Sequence, residues 1–274
     1  MDAKLEASLV EIVKRAGDAI LKVYESDFEV TNKVDDSPLT QADLAAHRII
    51  VAGLSQISPD IPIISEESEP PDYDVRKRWS RYWLVDPLDG TKEFVNRNGE
   101  FTVNIAFIEN GHPAFGIVGV PVQERIYLGD VVTSRASVID ADGVKEIKSR
   151  KMSVDIPELV VVASRSHGGE RLEAYLDELE SRVNGLSRRP VGSSLKLCVL
   201  ASGEADCYPR LGPTSEWDIG AAHAVLQAAG GQVYQPDRTV LGYNGKASLL
   251  NPEFIAVADA SFDWWSLLPE IPAA

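Results

Sequence analysis

The stretch YWLVDPLDGT, residues 82–91, runs from an apolar segment directly into two aspartates. Its first four residues predict a buried strand, and Asp86 and Asp89 follow it across a bend that contains Pro87. Carboxylates at the end of a buried strand lie where α/β proteins often place ligand chemistry. Because a spacing of three across such a bend lets both carboxylates approach one point, the stretch predicts an acidic site at a strand end.

The repulsion between these carboxylates limits what the site can be. Two carboxylates ~4 Å apart at an effective dielectric constant of ~20 repel each other by about 4 kcal/mol, so they need protonation, separation or a divalent cation. Oxygen ligands without clustered His or Cys favour Mg²⁺ or Mn²⁺ over zinc. Gly90 and Thr91 would begin a turn or short helix whose backbone N–H groups hold a phosphate beside the metal. A solvated Asx turn is the alternative, and this stretch alone leaves both interpretations open.

Further acidic residues stand at other predicted element boundaries. They are Asp43, in the predicted capping box 40–43; Glu66 and Glu67, after the predicted strand 61–64; and Asp218, before a predicted helix. Each alone has an ordinary structural explanation, since Asp218 would serve as an N-cap and Asp43 as the acidic member of the capping box. Together with Asp86 and Asp89 they place carboxylates at four boundaries, as a multi-metal phosphatase site requires.

Hydrophobic periodicity divides the rest of the chain into helices and short strands. It predicts helices over residues 5–23, 44–54, 169–179, 195–200 and 221–229, a turn at 35–38, and strands over 61–64, 82–85, 101–108, 114–120, 126–132 and 159–163 and around Val233 and Phe254. Asn110-Gly111 predicts a hairpin, residues 65–74 a loop, and Gly230-Gly231 the end of the last helix. Helices beside largely antiparallel strands indicate an α+β layered sandwich rather than a doubly wound fold. We expect two lobes, residues 1–134 and 135–274.

The composition excludes several classes of protein. The chain has 274 residues, 44% of them hydrophobic, which disfavours a disordered chain, a fibrous repeat and a disulfide-stapled mini-protein. Its 42 acidic and 27 basic residues give a net charge of −15, which argues against nucleic acid as a partner. An anionic substrate would then have to be held by metal ions or by a few well-placed Lys and Arg side chains.

Cysteine usage and the N-terminal residues predict the compartment. Cys198 and Cys207 lack zinc spacing and are expected to be reduced core thiols. Residues 1–20 lack the layout of a signal peptide, and no run reaches the roughly 18 apolar residues of a membrane span. We therefore expect a cytoplasmic protein without an integral membrane segment, and leave peripheral membrane association and oligomeric state open.

Six longer motifs carry a resemblance to a known family. They are YWLVDPLDGTKEF at 82–94, RNGEFTVNIA at 97–106, SRSH at 164–167, GSSLK at 192–196, YPRLGPTSEWD at 208–218 and LNPEF at 250–254. Together with Glu66-Glu67 they resemble the Mg²⁺-dependent, lithium-sensitive phosphatases of the inositol monophosphatase superfamily and, more closely still, the bacterial 3′(2′),5′-bisphosphate nucleotidase branch. The resemblance spans nearly the whole chain and implies a five-layer α/β/α/β/α sandwich.

This resemblance implies a set of metal ligands. Glu66, Asp86 and the backbone carbonyl of Leu88 would hold one Mg²⁺. Asp86, Asp89 and Asp218 would hold a second, and Glu66 would also help to hold a third, weaker ion. Two or three Mg²⁺ ions and no organic cofactor are therefore expected.

The resemblance also implies which residues act on the substrate. Thr91, polarised by Asp43, would orient the attacking water, with Glu66 as the third catalytic residue and Glu67 behind the ligands. The implied substrate-binding positions are Gly90, Thr91, His167, Ser193, Lys196, Arg210 and Asp218, with Tyr208 as an aromatic surface for the nucleotide. Lys and Arg suit this role because they supply point and forked donors to phosphate. Surface charges and serines at a helix start are the alternative explanation for Ser193, Lys196 and Arg210.

The activity implied is hydrolysis of the 3′-phosphate of adenosine 3′,5′-bisphosphate to AMP and phosphate, in sulfate assimilation. Action on 3′-phosphoadenylyl sulfate and inhibition by lithium are implied on the same basis. Inositol monophosphate and fructose bisphosphate remain alternative substrates, although residues 92–94 and 192–196 favour the nucleotide. A non-catalytic, metal-binding regulator is the alternative from another class, and the intact ligand set argues against it.

Two further motifs favour other chemistries only weakly. Residues 193–196 also match the S-x-x-K motif of penicillin-binding enzymes, but the companion S-D-N and K-T-G motifs are absent. Gly116 and Gly119 lie inside a predicted strand pair, so they indicate core packing or a bulge rather than a dinucleotide-binding loop.

Overall fold

The computed structural model describes residues 1–26, 38–153, 155–164 and 169–272. Its helices are α1 (Ala3–Tyr24), α2 (Pro38–Ile57), α3 (Tyr73–Arg76), α4 (Thr91–Val95), α5 (Glu170–Glu180), α6 (Leu195–Ala201) and α7 (Glu216–Ala229). Its strands are β1 (Ile63–Ser65), β2 (Arg81–Asp89), β3 (Thr102–Glu109), β4 (His112–Val120), β5 (Arg125–Asp130), β6 (Arg135–Asp140), β7 (Gly143–Glu146), β8 (Leu159–Ser164), β9 (Leu186–Val191), β10 (Cys207–Arg210), β11 (Gln232–Tyr234) and β12 (Phe254–Val257). No helix within these ranges is long and apolar enough to cross a membrane.

The first sheet contains β1 to β7 in chain order. β1 and β2 are parallel, and the later neighbours are antiparallel. Asn110 and Gly111 have φ angles of 51° and 76°, as expected for the two-residue hairpin turn predicted between β3 and β4. The sheet continues through Glu146, past the lobe boundary at residue 134. That boundary stays a prediction, while the change to the second sheet falls between Glu146 and Leu159.

The second sheet has the order β11-β12-β10-β8-β9. β8 is parallel to both β9 and β10, whereas β12 is antiparallel to β10 and β11. The half-buried β9 was not predicted, nor were β6, β7 and β10. Three of them pair with strands that the sequence did predict, since β6 pairs with β5, β9 with β8, and β10 with β8 and β12.

Burying both faces of each sheet produces five layers. Successive strand residues point to opposite faces, so Trp83 packs in the cluster formed with α1 and α2, whereas Leu84 packs with α6 and α7. The layer of α6 and α7 also covers one face of the second sheet, and α5 covers the other. The order is therefore α/β/α/β/α, and the predicted α+β layered sandwich is confirmed.

Two glycines let α7 lie directly against the first sheet. A Cβ atom on Gly116 would come within 2.1 Å of the Ala221 carbonyl oxygen, and one on Gly129 within 2.4 Å of the Val225 Cα. Such approaches exclude any side chain. The core-packing role predicted for Gly116 is therefore confirmed, and this packing fixes α7, which carries Asp218, over the sheet.

The second helix begins earlier than predicted. α2 already includes Pro38, so residues 40–43 lie inside its first turns and the predicted capping box is wrong. Proline is compatible with a first turn because its φ is fixed at a helical value and its missing N–H would have no helical partner there. Most of the predicted turn, residues 35–37, lies outside the described residues. The predicted loop 65–74 also contains the start of the short helix α3.

Strand β2 is longer than predicted, and both of its aspartates lie within it. Asp86 pairs with Asn104 and Asp89 pairs with Thr102, with a register shift between the two pairs. Pro87 explains the irregularity, because proline cannot donate to the hydrogen-bond ladder and is found at bulges. The carboxylates therefore occupy an irregular strand end instead of a turn that follows the strand.

Candidate active site

A cavity of about 330 Å³ lies where β2 ends and where α4, α6 and α7 begin. Its described lining is Glu66, Asp86, Leu88, Asp89, Gly90, Thr91, Lys92, Glu93, Ser193, Ser194, Lys196, Leu197, Tyr208, Arg210, Pro213, Thr214, Asp218 and Ile219. The cavity thus brings together eleven of the residues singled out in the sequence. Asp43 and Glu67 are not in this described lining, and His167 lies outside the described residues.

Asp86 is the most deeply buried carboxylate of the cavity, with 1% of its surface exposed. Its Oδ1 accepts a hydrogen bond from the Leu88 backbone N–H at 3.1 Å, which closes the bend around Pro87. Its Oδ2 is buried and has no hydrogen-bond partner. A buried carboxylate oxygen without a donor is costly, so this atom fits a position that contacts a cation.

Asp89 is held by residues that the sequence analysis did not single out. Its Oδ2 accepts a hydrogen bond from the Ser194 backbone N–H and a longer one, at 3.5 Å, from the Thr102 hydroxyl. The Ser194 hydroxyl in turn lies 2.7 Å from Asn104 Oδ1 and 2.8 Å from the Thr102 hydroxyl. This network joins the start of α6 to β3. The motifs at 97–106 and 192–196 contain these residues, but only the fold shows that they meet.

Asp218 is the third residue of α7 rather than its N-cap. The N-cap is Ser215, whose backbone N–H donates to Asp218 Oδ2 at 2.8 Å. This is the carboxylate half of a capping box. The ordinary structural explanation for Asp218 as an N-cap is therefore wrong, and its carboxylate serves the helix start while it lines the cavity.

Glu66 and Glu67 follow β1, and Glu66 continues its pairing with β2. The Glu66 backbone N–H donates to the Val85 carbonyl at 3.1 Å, which continues the ladder and brings its exposed side chain to the cavity.

Burial, the charges of Glu67 and Glu66, and a hydrogen bond with the Glu67 carboxyl raise the pKa of Asp43 to about 8. Asp43 therefore interacts with Glu67, while Thr91 begins α4 at the cavity surface.

The carboxylates of the cavity raise one another's pKa. Burial, followed by the charge of Asp218, raises the pKa of Asp89 to about 7. Burial also raises the pKa of Asp218 to about 6, with a contribution from Glu66. The pKa of Asp86 lies well above its usual range because of burial and of the charges of Asp89, Glu66, Asp218 and Asp43. Burial is the largest cause for each of the three, and the charges of the neighbouring carboxylates add to it.

The donor set fits a hard divalent cation, although it is not arranged as a closed cage. Within the described ranges, no three His, Cys, Asp or Glu side chains already form a group that could hold a metal ion. Carboxylate and carbonyl oxygens suit Mg²⁺, and the unpartnered Asp86 Oδ2 is compatible with a cation ligand.

Two cationic side chains, Lys196 and Arg210, line the same cavity as these acids. Lys196 has 7% of its surface exposed, and its Nζ donates to the Ser193 carbonyl at 2.9 Å and lies 5.7 Å from the Tyr208 ring centre. Burial lowers the pKa of Lys196, while the charge of Asp89 opposes the shift. Arg210 donates to the Pro213 carbonyl at 2.8 Å, and its buried Nε has no partner. The cavity therefore brings carboxylates that could hold metal ions together with cations that could hold an anionic group.

Comparisons with known proteins identify relatives over most of the chain. A family model described as the inositol monophosphatase family matches residues 1–269. The 3′(2′),5′-bisphosphate nucleotidase CysQ of Salmonella typhimurium is 47% identical over 246 residues, which cover 89% of this chain and 96% of that protein. The protein of the same name from Escherichia coli strain K12 is 46% identical over the same shares.

Solved structures give the same result for the fold. The crystal structure of CysQ from Bacteroides thetaiotaomicron, described as a bacterial member of the inositol monophosphatase family, superposes with a TM-score of 0.84 at 38% identity. The match covers 93% of this chain and 97% of that one. An inositol monophosphatase from Zymomonas mobilis superposes with a TM-score of 0.76 at 23% identity over 97% and 98% of the two chains, which supports the fold alone.

Proposed function

The chain belongs to the inositol monophosphatase family, and from this premise we propose that it hydrolyses the 3′-phosphate of adenosine 3′,5′-bisphosphate to AMP and phosphate. It is a phosphoric monoester hydrolase of the 3′(2′),5′-bisphosphate nucleotidase type. The observation that carries the substrate is the presence of Lys196 and Arg210 in the same cavity as the carboxylates. Two phosphates need a cationic partner besides the metal side, and a chain with a net charge of −15 must provide it locally.

Mg²⁺ is the proposed cofactor, in two or three copies and without an organic cofactor. Glu66, Asp86 and the Leu88 carbonyl would hold one ion, and Asp86, Asp89 and Asp218 a second, with Glu66 at a weaker third. The unpartnered Oδ2 of Asp86 and the mutually raised carboxyl pKa values support this assignment. When bound, Mg²⁺ supplies positive charge for the transferring phosphoryl group and makes water more acidic.

The side chains around the ligands would bind and orient the reactants. Thr91 is exposed to the cavity, so its hydroxyl would position the attacking water, with Asp43 and Glu67 behind it. The bend at Gly90, which has a φ of 95°, turns the backbone from β2 into α4 beside that position. Gly90 and Thr91 would therefore contact the phosphate that is removed.

The second phosphate and the nucleoside would lie on the cationic side. The proposed contacts there are Ser193, Lys196, Arg210, His167 and Asp218, with Tyr208 as an aromatic surface. Lys196 already donates a hydrogen bond to the Ser193 carbonyl, and Arg210 donates one to the Pro213 carbonyl. Cations whose side chains are already ordered bind an anion at a lower entropic cost than mobile ones.

Other properties are proposed on the family basis alone. They are inhibition by lithium, action on 3′-phosphoadenylyl sulfate, a role in sulfur metabolism and a cytoplasmic location. The division into lobes 1–134 and 135–274 is likewise proposed, with Asp218 and the nucleotide contacts on the second lobe.

The metal proposal predicts a pH-dependent stability. The folded-state pKa values of about 6 for Asp218 and about 7 for Asp89 exceed the unfolded value near 3.9. Ionising these groups therefore destabilises the metal-free fold as pH rises from about 4 to 7. Mg²⁺ binds the ionised form. We expect saturating Mg²⁺ to raise Tm by about 5–10 °C at pH 8 and by much less at pH 5.5. Calorimetry in Mg²⁺ and in chelator measures this difference in Tm. An equal Tm in the two conditions at pH 8 would contradict the metal proposal.

The reaction itself is tested by identifying the products. Incubation of the protein with adenosine 3′,5′-bisphosphate and Mg²⁺ should yield AMP and one equivalent of phosphate, separable by ion-exchange chromatography. Chelator should stop the reaction, and renewed Mg²⁺ should restore it. Formation of adenosine 3′-phosphate would show that the 5′-phosphate is removed instead, which contradicts the proposed orientation.

A further inference from the structure

We infer that Glu93 is a positioning residue. It sets the distance between the carboxylate-bearing end of β2 and the segment 192–196, and thereby determines how tightly the substrate is held. The inference rests on the proposed function in so far as Lys196 contacts substrate. Glu93 itself is assigned no contact with the reacting atoms. Its role is to keep two parts of the cavity wall at a fixed separation.

The side chain of Glu93 is buried in an unusual position for a carboxylate. It belongs to the five-residue helix α4, yet only 8% of its surface is exposed. A Cβ atom on Gly192 would lie 2.4 Å from Glu93 Cγ, and one on Gly90 would lie 3.3 Å from Glu93 Oε2. The side chain therefore fills the gap between two glycine backbones, one at the end of β2 and the other before α6.

The segment that follows Gly192 depends on this placement. The Gly192 backbone N–H donates to Glu100 Oε2 at 2.7 Å, which fixes the segment from its other side. Ser193 has a φ of 46°, in the left-handed region that a non-glycine residue adopts only when its surroundings enforce it. The Ser193 carbonyl accepts a hydrogen bond from the Lys196 ammonium group at 2.9 Å. A shift of Gly192 would therefore move the Ser193 carbonyl and, with it, the Lys196 charge.

The same contacts reach the metal side of the cavity. The backbone N–H of Ser194 donates to Asp89 Oδ2, so the segment is attached to β2 by this bond while Glu93 holds the two apart. The Ser194–Asp89 hydrogen bond draws the segment toward β2, and the contact of Glu93 with Gly192 limits how closely it approaches. The shape of the Glu93 side chain is therefore what the proposal requires. Its charge is only one of three carboxylate charges that raise the pKa of Lys196, the others being those of Asp89 and Glu100.

A comparison of Glu93→Ala with Glu93→Gln separates shape from charge. Glutamine has nearly the same shape, so Glu93→Gln should keep KM for adenosine 3′,5′-bisphosphate within about threefold of the unaltered protein. Alanine empties the gap, so Glu93→Ala should raise KM about tenfold while kcat changes less than threefold. Amide hydrogen exchange should accelerate about tenfold at Gly192 and Ser194 in the alanine variant, and remain unchanged in β3 and β4.

Gly192→Ala provides a complementary test. Its added methyl group would overlap the Glu93 side chain, so the single variant should raise KM at least tenfold. The double variant Glu93→Ala with Gly192→Ala removes the overlap and should recover part of that loss. If the Gly192 single variant does not fold cooperatively in a thermal scan, the Glu93 pair and its hydrogen exchange still decide the question.

Three results would overturn the inference. They are a wild-type KM with wild-type exchange in Glu93→Ala, an equal loss in Glu93→Gln and Glu93→Ala, and a double variant worse than either single variant. A general loss of stability would lower Tm without raising KM, which would also count against positioning. Failure of the unaltered protein to hydrolyse the nucleotide would reject the proposed function instead, while hydrogen exchange would still test the placement of Gly192 by Glu93.

Discussion

We expect Asp86→Asn to lower kcat/KM for phosphate release by about a thousandfold or more, because the proposed ligand of both metal ions loses its charge. A metal ion contributes several kcal/mol to such a reaction, and about 4 kcal/mol corresponds to a thousandfold change in rate. Asparagine has nearly the shape of aspartate, so the side chain, 1% exposed, should still fit. Steady-state kinetics in Mg²⁺ measures the loss.

The same substitution should stabilise the metal-free protein at alkaline pH. The folded-state pKa of Asp86 lies well above its usual range, so the charge disfavours folding once it forms, and asparagine carries none. Without Mg²⁺, the Tm of the variant should exceed that of the unaltered protein at pH 8. The difference between the two Tm values should be smaller at pH 5.5. Asp60→Asn, on an exposed position, is the matched control and should leave kcat/KM unchanged. A fully active Asp86→Asn protein would contradict the metal assignment.

Lys196→Met should raise KM for adenosine 3′,5′-bisphosphate by about 10–100-fold, because a hydrogen bond to a charged group contributes roughly 1.5–3 kcal/mol. Methionine keeps the apolar stem in a position that is 7% exposed and removes only the ammonium group. Any slow hydrolysis of inositol 1-phosphate, which has a single phosphate, should change much less. KM values for both esters measure the difference.

The control for Lys196→Met is a lysine outside the cavity. Lys145 on β7 pairs with Asp140 at the end of β6 and with Asp142 in the turn between the two strands. Lys145→Met should therefore leave both KM values unchanged. Equal losses on both esters in Lys196→Met would mean that Lys196 serves the reacting phosphate or the fold in general. No change in either KM would remove Lys196 from substrate binding.

The sequence predicted the features that local chemistry controls. The largely apolar runs of β2 and β3, the Asn110-Gly111 turn and the apolar stripe of α1 depend on residues close together in the chain. α1 extends over Ala3–Tyr24, with its N-terminus capped by the Asp2 side chain. The acidic strand end was also identified locally, because Asp86 and Asp89 follow a buried apolar run.

Features that depend on distant partners could not be predicted in this way. β9 contains Arg188, Arg189 and Pro190, and only its parallel pairing with β8 makes it a strand. The bulge at Pro87 depends on the register with β3, and the support of Asp89 by Ser194 joins positions 105 residues apart. The burial of Glu93 between Gly90 and Gly192 is non-local for the same reason.

The most direct test of the account is the ratio of kcat/KM values for adenosine 3′,5′-bisphosphate, inositol 1-phosphate and fructose 1,6-bisphosphate, measured in Mg²⁺ and in chelator. We predict a preference of at least about a hundredfold for the nucleotide in Mg²⁺, in line with roughly 3 kcal/mol from a second recognised phosphate, and no turnover in chelator. A preference for the inositol or fructose ester would keep the carboxylate site and contradict the substrate roles of Lys196 and Arg210. No phosphate release from any of the three would contradict the enzymatic assignment and favour a metal-binding regulator.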